Sequence, residues 1–537
     1  MKTVKFLLAF LLSAICLPLS AQQSSALNLM IEPVNIAGLP GLQSFACGQY
    51  NGKWLLIGGR LDGLHRRQPW ASFDLEGHNT QLFVVDPINL QTWAANLSTL
   101  PQTIQEQLSS TNMEFYQTGN MLYLIGGYGY SATADDHVTY PYLTAVNVEQ
   151  VIHAIVNNAP LAPHFRQITH SNFAVTGGRL EKLYNTYYLV GGQQFDGRYN
   201  PMNGPSFTQQ YTNQIRRFTI ADNGTTLDIT HLTPFTDADN LHRRDYNLLP
   251  QVFPDGRPGI TAFSGVFQQT QDLPYLNCVN IDTSGYAINN DFSQYLNHYH
   301  CATLAVYDSL HNQMHSLFFG GIAQYTIDNT GILVQDANVP FVPTIARVTR
   351  NATGEMAEYK LPIEMPGLLG AGAEFIKSEN LPEYANHVLK LHLLPTDTVL
   401  LGYIVGGIHS SAPNIFWSNE GTESTASAQI LKVYRVPENA TAVHTLNPQS
   451  VNGLQCQVFP NPSEGIFSIT FENEKTCNLS LAVYGTDGAV LLEENFQKLK
   501  TGKHVLQYTM PENTRGMVIL KLKCNGQTYT QKVLIEE

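Results

Sequence analysis

Short apolar runs, each closed by two glycines and followed by a long polar stretch, recur along the chain. NGKWLLIGGRLDG occupies 51–63, GNMLYLIGGYGYS 119–131, LYNTYYLVGGQQFD 183–196, MHSLFFGGIAQY 314–325 and LGYIVGGIHSS 401–411. A weaker copy, GITAFSGVF at 259–267, sets Ser264–Gly265 in the one gap of the series. Another apolar strand precedes each phrase (SFACGQY, NMEFYQ, SNFAVTGG, YNLLPQVF, HCATLAVY, GAGAEFIK). A third follows the polar stretch (TQLFVVD, YLTAVNV, NQIRRFTI, PYLNCVNI, PTIARVT, AQILKVYRV), and a fourth often comes next. Six units of up to four strands, almost without helical periodicity, predict an all-β chain whose main body is a six-bladed β-propeller. The runs are apolar throughout because a blade's inner strands are covered on both faces. The glycines let the chain leave a strand where another backbone lies close. A β-sandwich has no need of six copies of one phrase, and a β-helix has a much shorter period.

The ends of the ring are legible too. LNLMIEPVNIAGLPGLQSF at 27–45 aligns with GEMAEYKLPIEMPGLLGAGAEF at 354–375, where an outer strand leads into the next blade. The N-terminal strand, about 28–36, is therefore expected to complete blade six and remove an exposed edge. The propeller then spans 22–437. A polar, Pro- and Asn-containing linker at 438–455 follows, and the alternation of 456–537 predicts a small β-sandwich of about seven strands.

Composition narrows the setting. The first residues, MKTVKFLLAFLLSAICLPLSAQQ, read as a secretory signal peptide over 1–21, with cleavage after Ala21. Its apolar part is short for a membrane span, and no later segment is long and apolar enough to be one. The formal charge of −13 becomes about −15 once Lys2 and Lys5 leave, which disfavours nucleic acid as a partner. Cys47, Cys278, Cys301, Cys456, Cys477 and Cys524 remain in no zinc-binding spacing, and disulfides are open to them after export.

Two resemblances follow from these residues. Gly-Gly after an apolar strand, with Trp93 closing DPINLQTW, resembles the kelch family of propellers over about 30–437. That family includes sugar-active enzymes, adhesins and interaction scaffolds, so it implies architecture without choosing a function. The tail is similar to the C-terminal sorting domain of the type IX secretion system of Bacteroidetes. The match rests on PNPSEG with Pro460, Asn461, Pro462 and Gly465, on the turn VYGTDG with Gly485, Asp487 and Gly488, and on the final QKVLIEE. It implies passage through the periplasm, engagement of the type IX machinery, and release or attachment at the outer surface.

Chemistry is expected where the first strands open, on the rim that also carries the post-glycine stretches. Those stretches run to roughly 14–22 residues in five blades, well beyond hairpin length. The openings hold Asn112 and Glu114, His170 and Asn172, Arg243, Arg244, Asp245 and Tyr246, and His298 and His300. Arginine forks suit carboxylates, and a carboxylate beside a histidine suits acid–base work, so an acidic sugar would fit such a mouth. Inter-blade ion pairing is the competing structural explanation for the Arg243–Asp245 group. His298 and His300, two apart, would face one side of a strand and could admit a divalent ion; no cofactor is otherwise expected. The rim loops are rich in aromatics: Trp70, Phe73, Tyr128, Tyr130, Tyr140, Phe195, Tyr199, Tyr325, Phe416 and Trp417. These either stack sugars or anchor the loops. His65, Arg66 and Arg67 read as a basic surface spot. The leading functional expectation is an exported propeller that binds an extracellular glycan or protein. A carbohydrate-active enzyme (mutarotase, lyase or hydrolase) and a structural or adhesive envelope protein are the alternatives.

Overall fold

A computed structural model describes residues 27–437, apart from 203, 205 and 329–331. It also describes 455–535, apart from 460–462, 464, 474, 486–489, 512, 513, 525 and 526. The expected signal peptide and nearly all of the linker lie outside the described residues, as do Pro460, Asn461, Pro462, Asp487 and Gly488. The chain divides into two compact units, 1–438 and 439–537.

The first unit holds six sheets taken up in chain order, each built on four antiparallel strands, which is the six-bladed propeller the repeats predict; three of them carry a short fifth strand, and two small hairpins lie in the loops. Blade one runs Ala46–Tyr50, Lys53–Ile57, Gln81–Asp86, Gln91–Asn96. The inner strands of blades two to six are Thr111–Thr118, Arg179–Leu183, Asn247–Val252, Ala302–Asp308 and Leu368–Lys377. Blade six takes its outermost strand from Asn28–Val34, which pairs antiparallel with Ile430–Val436 in a register that sets Asn28 opposite Val436. Apolar clusters fill the gaps between blades. Leu189 and Phe218 meet the strands of blade two, Phe263 and Phe318 join blades four and five, and Trp54 and Val405 join blades one and six.

The twin glycines have a steric cause. A Cβ on Gly126 would stand 1.9 Å from the carbonyl oxygen of Val175, in the neighbouring blade, and its φ is +65°. The weak copy keeps the backbone shape without the first glycine: Ser264 takes φ 53° and Gly265 φ 102°.

Two local readings need correction. SNFAVTGG is not the inner strand of blade three. Residues Ser171–Phe173 form a single 3-10 turn, and the strand begins only at Arg179, after Gly177 takes positive φ. Among the described residues there are also two α-helices, α1 (Gln102–Leu108) and α2 (Val148–Val156). Val148, Val151, Ile152 and Ile155 recur at helical spacing along α2, and all four are buried in the cluster shared with blade one.

The second unit has two sheets. One orders Gln455–Phe459, Ile466–Asn473 and Gly502–Thr509; the other orders Val490–Leu499, Cys477–Gly485, Gly516–Cys524 and Gln527–Ile535. Phe467, Ile469, Leu481, Val483, Leu520 and Val533 form its core, and Cys477–Cys524 is a disulfide joining two neighbouring strands.

Candidate functional site: the propeller axis and its loop face

The inner strands meet at the axis in a closed ring of main-chain hydrogen bonds, one residue per blade. The N–H of Asn112 donates to the oxygen of Ser44 (3.0 Å), Gly177 to Asn112 (3.4 Å) and Asp245 to Gly177 (2.7 Å). His300 donates to Asp245 (2.9 Å), Gly372 to His300 (3.0 Å), and Ser44 to Gly372 (2.8 Å), closing the circle. Ser44, Asn112, Gly177, Asp245 and Gly372 all take φ between +48° and +69°. Asn and Asp tolerate this left-handed region better than other side chains, so backbone shape alone accounts for the choice of Asn112 and Asp245.

Two places after the ring members stand Glu114, Arg179, Asn247 and Glu374; Arg179 and Glu374 line the small axial cavity, whereas Glu114 is buried against Gly178 of blade three and Asn247 bonds Tyr299 and Cys301 of blade five. Arg179 Nη1 lies 3.1 Å from Glu374 Oε1, joining blades three and six across the channel, and His300 Nε2 stands 2.9 Å from the same oxygen. Burial alone would raise Glu374, but Arg179 and His300 outweigh it and hold the carboxyl below its ordinary value. His300 is lowered by burial and by Arg179, so Glu374 stays ionised against a neutral imidazole and a charged guanidinium. Glu114 is the opposite case: burial lifts it well above the carboxylate range, with only partial relief from the Gly178 N–H at 2.7 Å. Its Oε2 has no hydrogen-bond partner. The cavity lined by Asn112, Arg179, Asp245, His300 and Glu374 is about 10 Å³, enough for one water and too small for a sugar ring.

The other end of the channel is closed as well. Leu389–Lys390, from the first connector of blade six, pairs in parallel with Val306–Tyr307 on the axis side of blade five. Asn386 Nδ2 donates to the Gln251 oxygen of blade four at 2.9 Å, and Lys377 Nζ bonds Glu383 and the His387 oxygen.

The ten residues expected at the mouth therefore separate. Asn112, Asp245 and His300 line the axial cavity, and Glu114 is buried beside it against Gly178 of blade three. Tyr246 borders it but is fully buried, its hydroxyl donating to the Val190 oxygen at 2.7 Å. Arg244 sits above the ring, bonded to Asp245, Gln193 and the Tyr211 hydroxyl. Arg243 points the other way, into blade four. There it donates to the oxygens of Asn240, Ser264 and Asn277 and lies 4.0 Å from the Tyr275 ring centre, so it is a structural strut. His298 is buried between the Gln294 oxygen and the Gln324 N–H; residues 297–300 are not in a strand, so the two histidines do not share a face. His170 caps the turn at Ser171–Phe173 and packs at a tilt against His231, while the Asn172 oxygen accepts from Arg216; both lie away from the axis because their strand starts later. Ser44, Arg179 and Glu374 went unrecognised. Glu374 stood inside GAGAEFIK, and superposing the six openings would have exposed its register with Glu114.

The post-glycine loops form an interlocked cover. The Tyr128 hydroxyl donates to the Gly197 oxygen at 2.8 Å, Arg198 Nε to the Ser72 oxygen at 2.8 Å, and the Phe341 N–H to the Pro413 oxygen at 2.9 Å. Phe73, Tyr128 and Phe195 pack edge to face beneath it, and Phe341 stacks on Phe416. Most rim aromatics thus anchor loops. Trp70 and Trp417 do not: they are 74% and 69% exposed. Their loops, from blades one and six, are tied by the buried Asn419. Its oxygen accepts from the Arg67 N–H at 3.0 Å, and its Nδ2 donates to the oxygens of Leu64 (2.8 Å) and His65 (3.0 Å). A shallow groove of about 480 Å³ lies beside blades two and three, lined by Tyr140, Tyr142, Glu106 and Asp196. The oxygens of both acids are taken by protein donors, among them Ser131, Thr133 and Gln194.

Residues 457–536 match the family model of the secretion system C-terminal sorting domain. No curated protein matches the chain. Among solved structures it is similar to one described as the structure of YjhT (10% identity, 72% of this chain and 93% of that one, TM-score 0.40). It is also similar to a family 43 arabinoxylan arabinofuranohydrolase from Bacillus subtilis in complex with cellotetraose (10%, 92% and 96%, 0.28). A third is PorZ, described as an essential surface component of the type-IX secretion system of Porphyromonas gingivalis (9%, 92% and 75%, 0.15). The sorting domain marks the protein as one exported to the cell surface or beyond. Among the described residues no helix is long and apolar enough to cross a membrane.

Proposed function

We propose that the chain is a kelch-like propeller, handed to the type IX machinery by its tail, that binds an extracellular glycan on its loop face. In this reading residues 1–21 leave as a signal peptide, 22–437 form the binding body, and 438–455 link it to the sorting domain at 456–537.

One observation carries the reading: Trp70 and Trp417 stand exposed on two loops that hydrogen-bond to each other, while the other rim aromatics are turned inward or packed on neighbours. Solvating two indoles costs the free protein apolar burial, a cost offset when a sugar's C–H face covers them. The filled axis supports the loop face over the channel, since no sugar ring fits among Arg179, His300 and Glu374.

The test is affinity gel electrophoresis of the full chain through a panel of dissolved polysaccharides. Retardation that Trp70→Ala and Trp417→Ala each weaken by about tenfold supports the loop-face site. Retardation by no polymer sinks the glycan reading and turns attention to protein ligands.

A further inference from the structure

The loop pair bearing the tryptophans also carries a cation with nothing to pair it. Between residues 60 and 74, Arg60 is engaged by Asp62, and Asp74 is shared by Arg66 at 3.7 Å and by Arg198 from blade three. Arg67 is left over. Its main-chain N–H is fixed on the Asn419 oxygen at 3.0 Å, but its guanidinium makes no hydrogen bond or ion pair among the described residues. Glu76 on the same loop and Glu420 next to Asn419 form no ion pair with it, and the oxygens of Glu423 accept from the N–H groups of Glu420 and Thr422 and from the Thr422 hydroxyl. The bond between the main chains of Arg67 and Asn419 thus joins the two loops at a seam three residues before Trp70 and two residues after Trp417.

Other arginines without a carboxylate partner donate to protein oxygens, as Arg217 does to Thr233, Arg243 to Ser264 and Arg435 to Pro395, whereas the Arg67 guanidinium has no such acceptor among the described residues. Its five donors lie in a planar fork that fits a carboxylate or sulfate through two parallel bonds. The exposed indoles carried by the same two loops supply the flat apolar surface that a pyranose ring covers. Resting on the loop-face reading above, we infer that this seam recognises an anionic saccharide chain, with Arg67 holding the acidic group and Trp70 and Trp417 the sugar rings. The net negative charge works in favour of selectivity: the rest of the surface repels polyanions, so a chain that binds must do so through this local positive site.

The experiment compares polygalacturonate with its fully methyl-esterified form, which has the same backbone without the charge, using the full chain in affinity electrophoresis. Dextran sulfate against dextran tells a sulfate source from a carboxylate one. The wild type should bind the acidic member of at least one pair about tenfold more tightly than the neutral member, and added salt should erase the difference. Arg67→Gln should bind both members at the weaker level while melting at the wild-type temperature, since its guanidinium holds no protein group. Equal binding of acid and neutral polymer by the wild type, or a full acid preference kept by Arg67→Gln, overturns the inference and leaves the glycan reading standing. Equal loss on both polymers in Arg67→Gln also overturns it. No retardation by any polymer removes both.

Discussion

Arg179 and Glu374, 195 positions apart in the chain, meet at 3.1 Å across the propeller axis, blade three to blade six. The contact spans the ring rather than joining neighbours, so it ties opposite sides of the molecule at its centre. Removing the guanidinium leaves a buried carboxylate with only the His300 imidazole beside it. Arg179→Met should therefore destabilise the propeller by about 3 kcal/mol, and Arg179→Met/Glu374→Gln by clearly less. Calorimetry on both variants checks this; equal losses would mean that the pair is not coupled.

Glu114 sets a pH dependence of known sign. Its folded value is raised well above 4.5, so its contribution is favourable at low pH and is lost as pH rises from 4.5 through the folded value. Over that range the unfolded chain ionises while the folded one cannot. Glu114→Gln, which keeps an acceptor for the Gly178 N–H, should match the wild type below pH 4 and exceed it by at least about 1 kcal/mol at pH 8. Melting temperatures across pH 4–8 measure the divergence, and parallel curves would refute it.

Arg243 and Arg67 give opposite outcomes for the same kind of change. Arg243→Ala strips donors from the oxygens of Asn240, Ser264 and Asn277, and should cost about 3 kcal/mol or more with any glycan affinity retained in the folded fraction. A variant that melts normally but loses ligand would return Arg243 to the binding site.

Ring closure rests on the N-terminal strand. Ile31 is 5% exposed in the cluster between blades five and six. Ile31→Asp should remove roughly 4 kcal/mol or more and make the Asn28–Val34 amides exchange with solvent first. Hydrogen-exchange mass spectrometry reads this directly.

The disulfide belongs to the tail alone. Reducing Cys477–Cys524, or changing both residues to serine, should lower the stability of the second unit by about 4 kcal/mol and leave the propeller transition in place. A thermogram with two transitions, run with and without reductant, separates them; movement of the propeller peak would contradict the assignment.

The fold was far more legible in the chain than the site was. Gly126 and its counterparts are imposed by a backbone approach that no side chain survives, so the repeat remained visible through divergence at almost every other position. The axis follows a weaker rule. Polar residues at the strand openings look like chemistry, yet Asn112 and Asp245 are explained by the positive φ each must adopt. Arg243 and Arg244 are adjacent, and alternation alone turns one into the blade and the other to the loops. His170 was misplaced because blade three carries two glycine pairs, Gly177–Gly178 and Gly191–Gly192, and the first displaces the strand start. Trp70 and Trp417 were visible as residues, but only packing distinguishes them from Phe73 or Phe416, which do anchor loops.

The pairing of Asn28 with Val436 also decides how the ring responds to force. Both ends of the propeller leave from the same end of one antiparallel pair. Tension between them would peel seven residues one hydrogen bond at a time instead of shearing them together, which is the mechanically soft direction. A load entering through a surface-anchored tail and a ligand on the loops takes another path. It runs from the loop that follows Val399–Ser410 into Ile430–Val436, within blade six, and leaves the Asn28–Val34 strand slack. Held in that way, the propeller could bear a pull that would open it if applied at its two ends.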